Sequence, residues 1–169
     1  MRRTLATFLI LMLLWVVVGQ LNHKLAGTHV YLFVGGLYVT YAALQLSLRD
    51  GLVAVLLAGL LCDANVPVPF GLHTLLFASA YAVISNLRDH VPRDETVARV
   101  IVALLTNLAL FLVVSFALIG RGPAPAAVWP RLIFDLLCSQ VFLALIAPWF
   151  FALQARTLVL ARVERDPLG

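Results

Sequence analysis

Apolar residues run almost unbroken along this chain, and the few polar positions divide the runs into six segments: 4–21, 30–48, 51–64, 70–87, 97–119 and 131–153. Stretches such as TLATFLILMLLWVVV lack the alternation that a barrel strand needs. In hydrocarbon only helices or closed barrels satisfy the backbone, so the pattern predicts an all-α integral membrane protein with six transmembrane helices. The third segment differs from the rest. It meets Asp63 after twelve residues, and ANVPVP (64–69) then interrupts it before a new apolar run opens at Phe70. Fourteen residues (51–64) at about 1.5 Å each give roughly 21 Å, against a hydrocarbon core of about 30 Å. This third helix is expected to be short and followed by a Pro-rich break.

Composition supports the membrane reading. Of 169 residues, 63% are apolar and 12% charged, and mean hydropathy is +1.02. Soluble domains average about 45–50% apolar and about 25% charged. The net charge of +4 comes from scattered arginines in short connections, which the positive-inside rule explains without nucleic acid. With the N-terminus inside, the inner segments hold Arg2, Arg3, Arg49, Arg88, Arg93, Arg99, Arg156, Arg162 and Arg165. The outer segments hold Lys24, Arg121 and Arg131. Nine against three implies that both termini are cytoplasmic and that residues 51–87 cross twice. The start MRRT followed by Leu5–Val18 imitates a signal peptide, but a cut after Ala26 would put Lys24 at the −3 position, so it reads as an uncleaved first span. The connections are short, and the tail 154–169 reads as a helical extension of the last span that frays at Pro167. The whole chain, 1–169, is thus expected to form a single polytopic membrane domain.

Few residues can carry chemistry. Asp63 within a span costs about 2.5–3.5 kcal/mol on insertion scales unless it is paired or watered. It either contacts a ligand or partner, or it pins the break by accepting N–H groups from the start of the next helix. His73 lies in the first turn of that helix and is either a partner of Asp63 or a lone interfacial histidine. Arg131 and Asp135, four apart, can neutralise each other or form a partner surface. Tyr31, Tyr38, Tyr41 and Gln45 step by seven, three and four, which on a continuous helix places them on one face, toward the protein core or a cavity. Asn107, mid-span, is suited to an interhelical hydrogen bond, and Ala54, Ala58 and Cys62 form a stripe of small residues. Cys62 and Cys138 have no CxxC or Cys/His spacing and read as packing residues. HExxH, GxSxG, P-loop and GxGxxG patterns are absent, so neither metal, cofactor nor catalysis is expected.

Gly59-Leu60-Leu61-Cys62-Asp63, a Pro-containing turn with Pro69, then Gly71-Leu72-His73 and LLFASAYAV resemble the bacterial rod shape-determining protein MreD family. The likeness in layout covers essentially the whole chain, and the motif-level likeness covers about residues 59–81. Two prolines stand in the turn where small and polar residues are commoner in the family. The resemblance implies a fold similar to the six-helix substrate-binding subunits of energy-coupling vitamin transporters. It implies a non-catalytic inner-membrane subunit of the cell-elongation complex, active in cell shape and lateral peptidoglycan synthesis. The expected partner is MreC and, through it, MreB, RodA and penicillin-binding protein 2, besides membrane lipid. Gly59, Asp63, Pro69, Gly71 and His73 are then the partner-facing or structural break. The alternative expectation is a small-molecule-binding or transport subunit, with Asp63, His73 and the tyrosines around a cavity of several hundred Å³.

Overall fold

A computed structural model of the chain describes residues 2–65, 69–88, 95–119 and 125–163. Six α-helices follow in order: α1 (Arg2–Leu25), α2 (Gly35–Gln45), α3 (Leu48–Asn65), α4 (Leu72–Leu87), α5 (Thr96–Ile119) and α6 (Pro125–Val163), with a 3-10 turn at Ala26–Thr28. No strand occurs among the described residues. The residues 66–68 within the Pro-rich turn, most of the charged connection (89–94), the Gly/Pro connection 120–124 and the tail end with Pro167 lie outside them.

Five helices form a ring around the sixth. α1 packs on α3 and α6, α3 on α4, and α5 on α6, with a lighter α4–α5 contact closing the circle. α2 fills the centre against α3, α4, α5 and α6, and every residue from Gly35 to Leu44 is buried. Two glycines permit this closeness. A Cβ on Gly36 would meet the Ala103 carbonyl oxygen of α5, and one on Gly59 would stand 2.6 Å from Thr74 Cα of α4. Glycine removes the side chain where two backbones must approach. The stripe Ala54, Ala58 and Cys62 faces inward, at 0%, 2% and 9% exposure.

Polarity runs inside out relative to a water-soluble fold. Leu5, Leu9, Leu13, Leu75, Leu105, Leu145 and Trp149 are exposed, while Asp63, His73, Asn107, Asp135, Ser139 and Gln154 are buried. Continuous exposed apolar surface is costly in water and matched in lipid. Among the described residues three helices are long and apolar enough to cross a membrane, over Thr4–Thr28, Thr96–Leu118 and Val128–Thr157. The chain is accordingly read as a membrane protein.

Two sequence expectations need correcting. The third helix is not the short one. It spans 18 residues, about 27 Å at 1.5 Å per residue. It starts at Leu48 because Ser47 caps it: the Asp50 N–H donates to Ser47 Oγ (3.3 Å), and the Ser47 hydroxyl donates to Asp50 Oδ2 (3.1 Å). Ser47 thus acts as a side-chain N-cap, and its hydroxyl is held in turn by the Asp50 carboxylate. The Thr4 hydroxyl of α1 donates to the other Asp50 oxygen at 2.6 Å. The short helix is α2, with 11 residues, because the second apolar segment is not helical throughout. Residues 29–34 are non-helical and lead into α2 at Gly35. His29 is left-handed and Val34 is not extended, so eleven helical residues with residues 30–33 reach about 30 Å at most, close to the thickness of a bilayer core.

Candidate functional site

The polar side chains that the ring buries gather mostly at one end, where α1 and α3 finish and α4 and α6 begin. Asp63, Asp135 and Ser139 bond backbone groups there, and the His73 ring bonds Asp63. Asp63 sits in the last turn of α3, within the helix and not beyond it. Its Oδ2 accepts from the Gly71 N–H (3.1 Å), the Thr74 N–H (3.0 Å) and the Thr74 hydroxyl (2.7 Å). Its Oδ1 accepts from the His73 N–H (2.8 Å) and lies 2.9 Å from His73 Nδ1. The first N–H groups of a helix have no partners within the helix, and this carboxylate supplies them from a neighbouring one. Gly71, the residue before α4, has φ +95°, a left-handed conformation that a side chain would strain. Pro69 is exposed, and its carbonyl accepts the Leu72 N–H at 3.1 Å, closing the turn. Asp63 and His73 are thus brought together, and the pair joins α3 to α4.

The non-helical segment before α2 is held in a parallel way. Asn22 of α1 accepts the Leu32 N–H (2.8 Å) and donates to the Leu32 carbonyl (3.0 Å), as a neighbouring strand would. Asp135 of α6 accepts the Tyr31 N–H at 3.0 Å. Ser139 Oγ accepts the Phe33 N–H at 2.9 Å and donates to the Asp135 carbonyl at 2.6 Å. Asn107 of α5 accepts the Gly36 N–H at 3.1 Å. Non-helical backbone in a membrane protein survives only where protein or water satisfies it; here three side chains from α1 and α6 do so, and Asn107 of α5 serves the first turn of α2. Sequence reasoning missed this segment as a site. The signals present were the β-favouring run Val30–Val34, the Gly35-Gly36 pair and the polar residues on facing spans.

The remaining expectations fare unevenly. Asp135 lies 4.0 Å from Arg131, whose side chain is 61% exposed, so this is a loose surface pairing. The buried carboxylate's stronger contact is with the Tyr31 backbone. The four-residue face of the second segment does not form. Tyr38 and Tyr41 are buried on α2, but Tyr31 precedes the helix and is 44% exposed, and Gln45 is exposed at its end. The break before Gly35 rotates Tyr31 out of the helical register. Tyr38 stacks on Phe77 at 5.8 Å, and Tyr41 on Phe151 at 6.2 Å. Arg99 lies over the Phe151 ring, 5.9 Å from its centroid. Cys62 and Cys138 are free thiols. Among the described residues no three His, Cys, Asp or Glu side chains are grouped to hold a metal.

Asn22 offers a direct test of the strand-like clamp. Asn22→Leu removes both hydrogen bonds to Leu32 while keeping the branched shape and the number of heavy atoms, and is expected to destabilise the fold by about 1–3 kcal/mol. Reversible unfolding in mixed detergent micelles measures it. A loss no larger than that of an exposed α1 substitution such as Leu9→Ala would contradict the clamp.

No family model, no curated protein and no solved structure matches this chain.

Proposed function

We propose that this protein is a non-catalytic subunit of the bacterial cell-elongation machinery, of the rod shape-determining MreD type. It would sit in the inner membrane with six crossings and both termini in the cytoplasm, in the fold of energy-coupling substrate-binding subunits. Its role is to hold MreC and thereby couple MreB, RodA and penicillin-binding protein 2 to lateral wall synthesis.

One observation carries the reading. The stretch that resembles the family, Gly59–Asp63 and Gly71–His73, is a single joint between two helices. Gly59 lets α4 approach α3, and Asp63 caps α4 from across the gap. A motif that fixes the relative placement of two helices suits a scaffold, whose surface must present one shape to a partner. The six-crossing layout is supported by the nine-to-three division of basic residues and by the reach of the extended segment with α2. The cavity of several hundred Å³ on which the transport alternative rests has a smaller counterpart beside His73, of about 60 Å³.

The experiment is complementation joined to co-purification. In a rod-shaped host depleted of its own MreD, the wild-type chain is expected to keep cells rod-shaped and to retain MreC through purification from solubilised membranes. Gly59→Leu, which drives α3 and α4 apart, is expected to give round cells and to lose MreC. Normal rods after complete loss of the protein in its own rod-shaped host would remove the proposal.

A further inference from the structure

Phe77 of α4 touches two polar side chains that the bundle buries without using all their hydrogen-bonding groups. Its ring stacks on Tyr38 of α2 and meets His73 edge-on, at 5.8 and 6.0 Å. Tyr38 is 5% exposed and His73 4%. The His73 ring spends Nδ1 on Asp63, and its Nε2 has no hydrogen bond among the described residues. The Tyr38 hydroxyl has none either among the described residues, and neither atom is among the fully enclosed unpaired ones, so both stay open to the space beside them.

Both side chains line one cavity, between α1, the extended segment, α3 and α4. Its volume is about 60 Å³, room for about four waters or one small polar group. Trp15, Phe33 and Phe77 supply apolar wall, and no Asp, Glu, Lys or Arg lines it. The Asn22 amide on the rim is committed at both ends to Leu32.

The chemistry of the two free groups is defined. The carboxylate already accepts four N–H and O–H donors and takes a fifth from Nδ1, so Nδ1 is committed to Asp63 and Nε2 is the ring position left for another partner. The phenol can donate. One alcohol group satisfies both, because a hydroxyl donates and accepts. A phosphate or carboxylate would find no Lys or Arg in the wall.

We propose that this cavity is a binding site for an uncharged hydroxyl group, held between His73 Nε2 and the Tyr38 hydroxyl. The hydroxyl can come from a small polyol in water or from the head of a neutral lipid. The proposal is independent of any role in cell elongation.

The test uses the full chain in phosphatidylcholine nanodiscs, with ¹⁵N-labelled histidine and the other three histidines, His23, His29 and His90, replaced by Gln. Glycerol and dioleoylglycerol are titrated in separate arms while the His73 Nε2 resonance is followed. A hydroxyl donor moves an acceptor nitrogen upfield, and saturation is expected in at least one arm. Response to dioleoylglycerol alone assigns a lipid source, and response to glycerol alone an aqueous one. Tyr38→Phe keeps the stack on Phe77 and removes only the hydroxyl. It is expected to unfold at the wild-type temperature and to weaken the titration about five- to tenfold, the worth of one neutral hydrogen bond. The proposal is overturned if neither compound moves the resonance, if Tyr38→Phe titrates like wild type, or if tetramethylammonium, which has no hydroxyl, produces the same displacement, which would make the aromatic wall a cation site.

Discussion

Asp63→Ala is expected to destabilise the protein by about 3–5 kcal/mol, with the loss centred on the α3–α4 joint. Alanine leaves the N–H groups of Gly71, His73 and Thr74 without acceptors, and frees the His73 ring and the Thr74 hydroxyl. Water cannot replace the carboxylate at a position that is 4% exposed without opening the joint. Asp63→Asn keeps one acceptor oxygen but turns an NH₂ toward donors, so an intermediate loss is expected. Thr74→Val removes one hydroxyl contact and should cost about 1 kcal/mol. Reversible unfolding in mixed micelles gives the order Asp63→Ala, Asp63→Asn, Thr74→Val. His73→Phe, alone and with Asp63→Ala, adds a cycle. Because the ring's polar contact is with Asp63 alone, the double variant should lose little more than Asp63→Ala. Additive losses would mean that His73 stabilises the bundle by another route.

The joint was legible because its parts are close in sequence. Asp63 is eight to eleven residues from Gly71, His73 and Thr74, and a capping acid before a helix start is a local pattern. The extended segment before α2 was not legible for the opposite reason. Val30–Val34 is as apolar as any helix in the chain, and only Asn22 among its backbone partners is near in sequence; Asp135 lies a hundred and four residues from Tyr31 and Ser139 a hundred and six from Phe33. Hydropathy reports burial, not backbone conformation, and a fully buried run can be either. The tyrosine face failed at Tyr31 because its spacing presumed a helix that starts at Gly35. Asp135 was paired by its spacing to Arg131, whereas its burial serves a backbone group on another element. Local rules found the contacts within a turn, and the tertiary arrangement decided the rest.

Gly36→Ala is the second large effect expected, although it adds a single methyl group. A Cβ there would meet the Ala103 carbonyl oxygen and would stand 2.9 Å from both the Cβ and the backbone N of Asn107. These are α5 main-chain and stem atoms, which cannot swing aside as the end of a long side chain can. α2 must therefore move from α5, and the movement stretches the 3.1 Å bond from the Gly36 N–H to Asn107. Overpacking costs about 1–3 kcal/mol, and a lost buried hydrogen bond adds to it, so a loss of about 3 kcal/mol or more is expected. Gly19→Ala is the matched control. A Cβ on Gly19 in α1 meets nothing within 4 Å, so removing helical glycine should stabilise by up to about 1 kcal/mol. The two substitutions are chemically the same and are expected to differ in sign. Equal unfolding midpoints would mean that α2 does not lie against α5 at the centre of the ring, and the strand-like clamp that delivers it there would fall with it.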